Sequence, residues 1–364
     1  MKILFDCRYV VKSGHHDGIS RFSARLVEAL AKRMPVEMLI SDEAQLRLLP
    51  DLPYHLISSE TSLREPWVAR QINRLNPDAV FSPLQTMGSW GRRYGLVLTL
   101  HDVIYHRHRT PPRNLPWYIR LGWWLYHLTW IPQRRALGRP DEVVTVSETT
   151  KRLIAEHKLT KRPVTVVLNA TDPVDENPPA RTPGAGRDLV YMGSFMPYKN
   201  VDTLARAMHH LPGHTLHLLS RMPAAERTRL EALAPAGSLV IHDGVTDAEY
   251  VELLERAHAL VHASLDEGFG IPLVEAMSVG TPVVVSDIPI FREIGGEAAV
   301  YADPRDPAGF AAAVRTLEDP AEWRRRSAAA RTEAERFDWE RSADVLYEVM
   351  RRVAGKARPE DAGF

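Results

Sequence analysis

Asp266-Glu267-Gly268-Phe269-Gly270-Ile271-Pro272-Leu273-Val274-Glu275-Ala276-Met277 is the stretch on which the reading of this chain turns. The apolar run before it, Ala259-Leu260-Val261-His262-Ala263-Ser264, reads as a buried strand. Two glycines then open a tight turn. Pro272 suits the first position of a helix, where its missing N–H would be unpaired anyway. The stretch is therefore a strand, a glycine loop and a helix N-terminus, with a carboxylate on either side. Free N–H groups and a partial positive charge at such a helix start suit a phosphate. Glu267 in the loop and Glu275 in the first helical turn can face one pocket. Carboxylates there accept hydrogen bonds from hydroxyls, such as those of a sugar and a ribose.

Outward from this stretch, the second half reads as an α/β repeat. It begins at Leu189-Val190-Tyr191-Met192-Gly193 and continues through strands at Thr215–Ser220, Leu239–His242 and Gly280–Ser286. Lys199 stands just ahead of a helix from about Val201, where its ammonium can reach a diphosphate as a point charge. Residues 171–187, with Pro, Gly and Asp and no periodicity, read as a linker. The first half reads the same way. A strand at Lys2–Phe5 is followed by the loop Ser13–Gly18 and a helix from about Ile19 to Arg33, with Phe22, Leu26, Ala29 and Leu30 at helical spacing. The loop lacks the Gly-x-Gly-x-x-Gly fingerprint, which argues against a dinucleotide. His15 and His16 have no carboxylate partner on their loop and read as solvated rather than as metal ligands. Gly95–Leu100 is a buried strand ending in His101-Asp102, and strand tips of open α/β sheets are where active-site residues sit. Glu142–Ser147 and Val164–Leu168 complete the first set.

The central stretch resembles the Glu-x7-Glu signature of retaining glycosyltransferases of the GT-B fold, family 4 (glycosyl transferases group 1). Other motifs agree with it in order. Asp17-Gly18-Ile19-Ser20-Arg21-Phe22 is similar to the family's Gly-Gly-Ile-x-Arg-Tyr loop, and Val146-Ser147-Glu148-Thr149-Thr150 to its Val-Ser-x-x-Ser. Lys199 matches the lysine of a Gly-Arg-x-x-x-x-Lys pattern, but Ser194 stands where that pattern has arginine. Asn169-Ala170-Thr171-Asp172 lacks the glycine of the usual Asn-Gly-Val-Asp. Phe337-Asp338-Trp339 is similar to the aromatic start of a last helix.

The resemblance implies an α/β architecture of two Rossmann-like domains facing a central cleft. Residues 1–170 would bind the acceptor, and 188–335 the nucleotide sugar. Residues 336–364 would form a helix crossing back to the first domain, with a disordered tail from Lys356. It implies that Gly18, Ser194, Lys199, Gly268, Phe269, Gly270, Leu273 and Glu275 bind the donor, and that Arg21 and Asp102 face the acceptor. His101, Glu267 and Lys199 would carry catalysis. In those roles Glu275 holds ribose hydroxyls, Glu267 holds sugar hydroxyls and His101 lies at the sugar's far edge. The leaving diphosphate meets Lys199, the helix start and the N–H groups of Phe269 and Gly270. No Asp-x-Asp occurs in the chain, so neither a metal nor another cofactor is expected. The motif context favours GDP-mannose as donor, with a UDP-sugar as the alternative. A GT-B epimerase or phosphorylase, and a non-catalytic sugar-nucleotide-binding module, are the competing readings.

Composition bounds the rest. Of 364 residues, 45% are hydrophobic and 25% charged, ordinary for a globular chain of two domains. The single cysteine, Cys7, excludes an internal disulfide framework and is compatible with a cytoplasmic setting. An acid at Asp6 comes too early for a signal peptide, and no apolar run reaches the length of a membrane span. The formal net charge is zero, yet residues 1–170 carry 25 Lys and Arg against 15 Asp and Glu. Residues 113–135 hold four of the eight tryptophans among arginines, a composition that suits an anionic membrane surface. With a glycan or lipid-linked acceptor, this suggests a protein peripheral to the inner face of the membrane. No nucleic-acid recognition motif is present.

Overall fold

The computed structural model describes residues 1–12, 18–111, 116–172 and 187–357. The chain divides into two compact units: Met1–Ala170 with Asp338–Phe364, and Thr171–Phe337. The pair His15 and His16, most of the expected linker, residues 113–115 of the aromatic stretch and the last seven residues lie outside the described residues.

In the first unit the strands are β1 (Ile3–Asp6), β2 (Val36–Ile40), β3 (Tyr54–Leu56), β4 (Ala79–Ser82), β5 (Gly95–Leu100), β6 (Glu142–Thr145) and β7 (Val164–Val166). They form one sheet in the order β3-β2-β1-β4-β5-β6-β7, with every pair parallel. Strands β1, β4, β5 and β6 are buried throughout. That explains their near-continuous apolar runs, since a parallel sheet is covered on both faces.

In the second unit the strands are β8 (Asp188–Tyr191), β9 (Thr215–Leu218), β10 (Leu239–Ile241), β11 (Ala259–His262), β12 (Val283–Ser286) and β13 (Val300–Ala302). Their order is β10-β9-β8-β11-β12-β13, again all parallel. In each unit the first strand has the second on one side and the fourth on the other. The chain therefore reverses its direction of travel across the sheet there, and loops leaving those two strands diverge into a crevice.

The last helix, Trp339–Ala357, follows the second unit in sequence yet packs in the first, against the Gly18–Ala31 helix. Its Leu346, Val349, Met350 and Val353 are buried. Lys32 Nζ–Glu340 Oε1 and Arg33 Nε–Asp344 Oδ1, both 2.7 Å, flank that seam, and Trp339 lies edge-on to Phe22. The tail was expected to be irregular from Lys356, but Lys356 and Ala357 still belong to the helix. No helix among the described residues is long and apolar enough to cross a membrane.

Candidate active site

The second unit gathers its site residues at the tips of β8 and β11, the two strands flanking the reversal. After β8 the chain makes a short turn, Pro197–Lys199, then Asn200 takes a left-handed conformation (φ 52°) ahead of the Val201–Ala207 helix. Asparagine tolerates that conformation better than most residues. Its side-chain amide donates to the carbonyls of Ala263 (3.0 Å) and Pro304 (2.6 Å), and Leu265 N–H donates to the Tyr198 carbonyl at 2.7 Å. These bonds lay the Lys199 turn against the loop leaving β11.

The result is an ion pair that no local pattern encodes. Lys199 Nζ donates to Glu267 Oε1 at 2.5 Å, with both side chains largely buried. Ser264 Oγ donates to the same Oε1 at 2.8 Å and also lies 2.9 Å from His262 Nδ1. Burial alone would raise the Glu267 pKa. Lys199, His262 and the Ser264 hydroxyl outweigh it and hold the carboxyl below its usual value. Burial pushes the His262 imidazole down to about 4, against the pull of Glu267. His262 packs against the rings of Tyr191 and Phe291.

Gly270 opens the Ile271–Ser278 helix at φ 103°, and a Cβ there would lie 3.0 Å from the Phe291 ring. Both observations demand glycine. Phe269 is buried edge-on against Phe337, at 5.6 Å between ring centres. The helix start differs from the expectation in two respects. Leu273 is fully buried, and its N–H donates to the Gly270 carbonyl at 3.0 Å, so that N–H is committed within the turn. Glu275 is the fifth residue of the helix and so stands in its second turn, partly exposed. Gly268 is buried within the loop. Ser194 is exposed, and its carbonyl accepts the Tyr191 hydroxyl at 2.7 Å.

The remaining expected residues belong to the first unit. His101 follows β5, and its Nε2–H donates to the Pro83 carbonyl at 2.8 Å. A carbonyl can only accept, so in the neutral ring Nδ1 is the acceptor. Burial lowers the His101 pKa despite that bond, and the ring meets Phe22 edge-on at 5.1 Å. Asp102 Oδ1 accepts the Ile104 N–H at 2.9 Å, just ahead of the short Ile104–Arg107 helix. Gly18 is the first residue of the Gly18–Ala31 helix, and Arg21 lies one turn on, partly buried.

His262 and Ser264 were not singled out as site residues. Their signal was present: two polar side chains at positions i and i+2, hence on one face, at the end of an otherwise apolar strand. Among the described residues, no three His, Cys, Asp or Glu side chains converge as a metal site.

Comparison with known proteins identifies the family and the fold. The family model for Glycosyltransferase Family 4 matches residues 16–175, and that for Glycosyl transferases group 1 matches residues 186–319. The chain is 28% identical over 195 residues to the O-antigen chain mannosyltransferase RfbU of Salmonella typhimurium, covering 51% of this chain and 53% of that one. It is 34% identical over 211 residues to the glycogen synthase of Mycobacterium tuberculosis, covering 54% and 50%. These matches span about half the length of each relative. The structure of sucrose-phosphate synthase from Thermosynechococcus elongatus superposes with a TM-score of 0.72 at 20% identity, covering 98% of this chain and 99% of that one. The fold is GT-B, and the chain belongs to glycosyltransferase family 4.

Proposed function

We propose that this member of family 4 is a retaining, metal-independent hexosyltransferase. It moves a sugar from a nucleoside-diphosphate donor to a glycan or lipid-linked acceptor at the inner face of a membrane. The observation that carries the reading is the Lys199–Glu267 pair, seated beside the glycine loop at the reversal of the sheet. It places a cation, a carboxylate and a helix start within one crevice.

In the reaction the bond from the anomeric carbon to the diphosphate oxygen breaks, and its electron pair leaves with the diphosphate. The acceptor hydroxyl oxygen bonds the same face of that carbon, and its proton passes to the leaving phosphate. Lys199 and the N–H groups of Phe269 and Gly270 stabilise the charge that develops on the diphosphate. Glu267 Oε2 accepts from a sugar hydroxyl while Oε1 stays with Ser264, and Glu275 accepts from the ribose. Neutral His101 offers Nδ1 to a sugar hydroxyl. Gly18 and Ser194 line the donor, and Arg21 and Asp102 the acceptor. Mannose from GDP-mannose is the first choice, in keeping with the likeness to RfbU. A UDP-sugar is the second, and the comparable likeness to a glycogen synthase favours keeping it.

Thermal unfolding with GDP, UDP, dTDP and ADP, each with and without EDTA, tests the donor site. A ligand at a hundredfold excess over its Kd adds about 2.7 kcal/mol. Stabilisation by one diphosphate, unaffected by EDTA, is the expected result, and the anomeric configuration of the product then tests retention. Binding without turnover of any matching sugar nucleotide would favour a non-catalytic module. No stabilisation by any of the four would remove the donor-site assignment.

A further inference from the structure

A helix on the surface of a water-soluble protein turns its apolar arc inward. The Trp117–Tyr126 helix does the opposite. At 100° per residue, Trp124, Trp117, Leu121, Leu125 and Tyr118 fall in one arc about 120° wide. All five are exposed, Trp117 by 75% and Leu125 by 53%. No residue of this helix is buried. Its inner side is held by rings instead: Trp123 lies 5.0 Å from Tyr105 and 4.1 Å from His127, and Tyr126 packs on His106 and His127. Ile131, which starts the next helix, is also exposed. The outward face thus presents three large rings and two leucines, with the Tyr118 hydroxyl and two indole N–H groups as its side-chain polar groups. Apolar area of this kind on a monomer marks a contact surface.

Charge identifies the contact. From Val103 to Pro140 the chain contains no Asp or Glu. Among the described residues of that segment, Arg107, Arg109, Arg134, Arg135 and Arg139 are exposed, and Arg120 is half-buried. The carboxylates that border the segment are engaged elsewhere. Asp102 accepts from the Ile104 N–H, and Asp141 accepts from Arg92. A symmetric contact between two copies would bring these arginines together with no acid from the segment to offset them. A nucleic acid would meet the leucines and rings of the outward arc, which holds no cation. A lipid bilayer with anionic headgroups satisfies both parts, because rings and leucines enter the headgroup–acyl boundary while arginines stay among the phosphates.

We propose that the Trp117–Tyr126 helix lies in the interface of an anionic lipid bilayer, with Trp117, Tyr118, Leu121, Trp124 and Leu125 inserted. The bordering arginines pair with lipid phosphates. This names the surface on which a lipid-linked acceptor would be met. It rests on the membrane placement in the proposed function but uses none of the donor-site residues, so its failure would remove that placement and leave the donor-site assignment standing.

Flotation of the full chain with phosphatidylcholine vesicles, with and without phosphatidylglycerol, is the direct test. The expected result is roughly tenfold stronger binding to the anionic vesicles, weakened by salt, with a blue shift of tryptophan emission. Trp117→Ser with Trp124→Ser should abolish the blue shift and most of the binding while leaving the thermal midpoint in place, because both rings are exposed. Arg134→Glu with Arg135→Glu should remove the preference for phosphatidylglycerol and keep the fold. Absence of vesicle binding, or equal binding to neutral vesicles, would overturn the proposal. So would a concentration-dependent dimer that Trp117→Ser dissociates, which would assign the face to a second copy.

Discussion

Lys199 and Glu267, 68 residues apart, meet through a 2.5 Å hydrogen bond between two turns that leave neighbouring strands. Each turn is anchored by backbone bonds, so the pair is positioned before any ligand arrives. Removing one partner would leave the other charge largely buried. Lys199→Ala should therefore destabilise the protein by about 3 kcal/mol, the low end for breaking a buried pair. Urea unfolding measures this. A cost within the range of exposed pairs, below about 1 kcal/mol, would mean that the pair is not maintained in solution.

Glu275 and His101 should separate by kinetic effect. Glu275→Ala is expected to weaken nucleoside-diphosphate affinity by about tenfold, which is about 1.4 kcal/mol, near the lower bound of about 1.5 kcal/mol for a hydrogen bond to a charged group. His101→Ala is expected to lower kcat and leave that affinity within about twofold. Calorimetric titration of both variants with the stabilising diphosphate decides the matter. Equal loss of affinity in both would refute this division of roles.

Acid should destabilise the fold through its buried histidines. His262 is pushed down to about 4 by burial, and His101 is lowered for the same reason. An unfolded histidine titrates near 6.5, so between there and about 4 the unfolded chain binds more protons than the folded one. Stability then rises with pH across that window and is lost as pH falls through it, by up to about 1.4 kcal/mol per pH unit for each such group. Glu267, whose folded pKa is lowered, adds a loss of the same sign below the usual carboxylate value. Thermal midpoints from pH 4 to 7 should fall with acid, and His262→Gln should flatten the curve. An unchanged slope in that variant would show that His262 titrates as an exposed histidine does.

Gly270→Ala combines two costs. The φ of 103° disfavours any side chain, and the new methyl would meet the Phe291 ring at 3.0 Å. A loss of about 1–2 kcal/mol is expected from the backbone alone. Adding Phe291→Leu should relieve the contact but leave the backbone cost, so the double variant should not recover the stability of Phe291→Leu alone. Full recovery would place the whole effect in the ring contact.

The legible features were those written in local pattern. The apolar run at Ala259–Ser264, the glycines and Pro272 predicted a strand, a loop and a helix, and β11 and the Ile271–Ser278 helix stand there. The buried strand ending at His101 was equally plain, because a parallel strand covered on both faces has no polar alternation to confuse it. Less legible was the use of individual polar groups. The sequence does not show that one Asp102 oxygen, Oδ1, accepts the Ile104 N–H. Leu273 lends its N–H to the Gly270 carbonyl instead of leaving it for a phosphate.

By itself, then, the sequence determined most of the strands, the division into two α/β units and the glycine loop of the family 4 signature, but not the edge strand Val300–Ala302. Periodicity and turn chemistry act over a few residues, and these features need nothing more. Only the tertiary structure decided that Lys199 meets Glu267, that His262 and Ser264 stand behind that carboxylate, and that the Trp117–Tyr126 helix turns Trp117, Tyr118 and Trp124 outward. Each depends on which strand lies beside which and on what covers a helix face. Those are set by packing between residues far apart in the chain, and a local pattern cannot carry them.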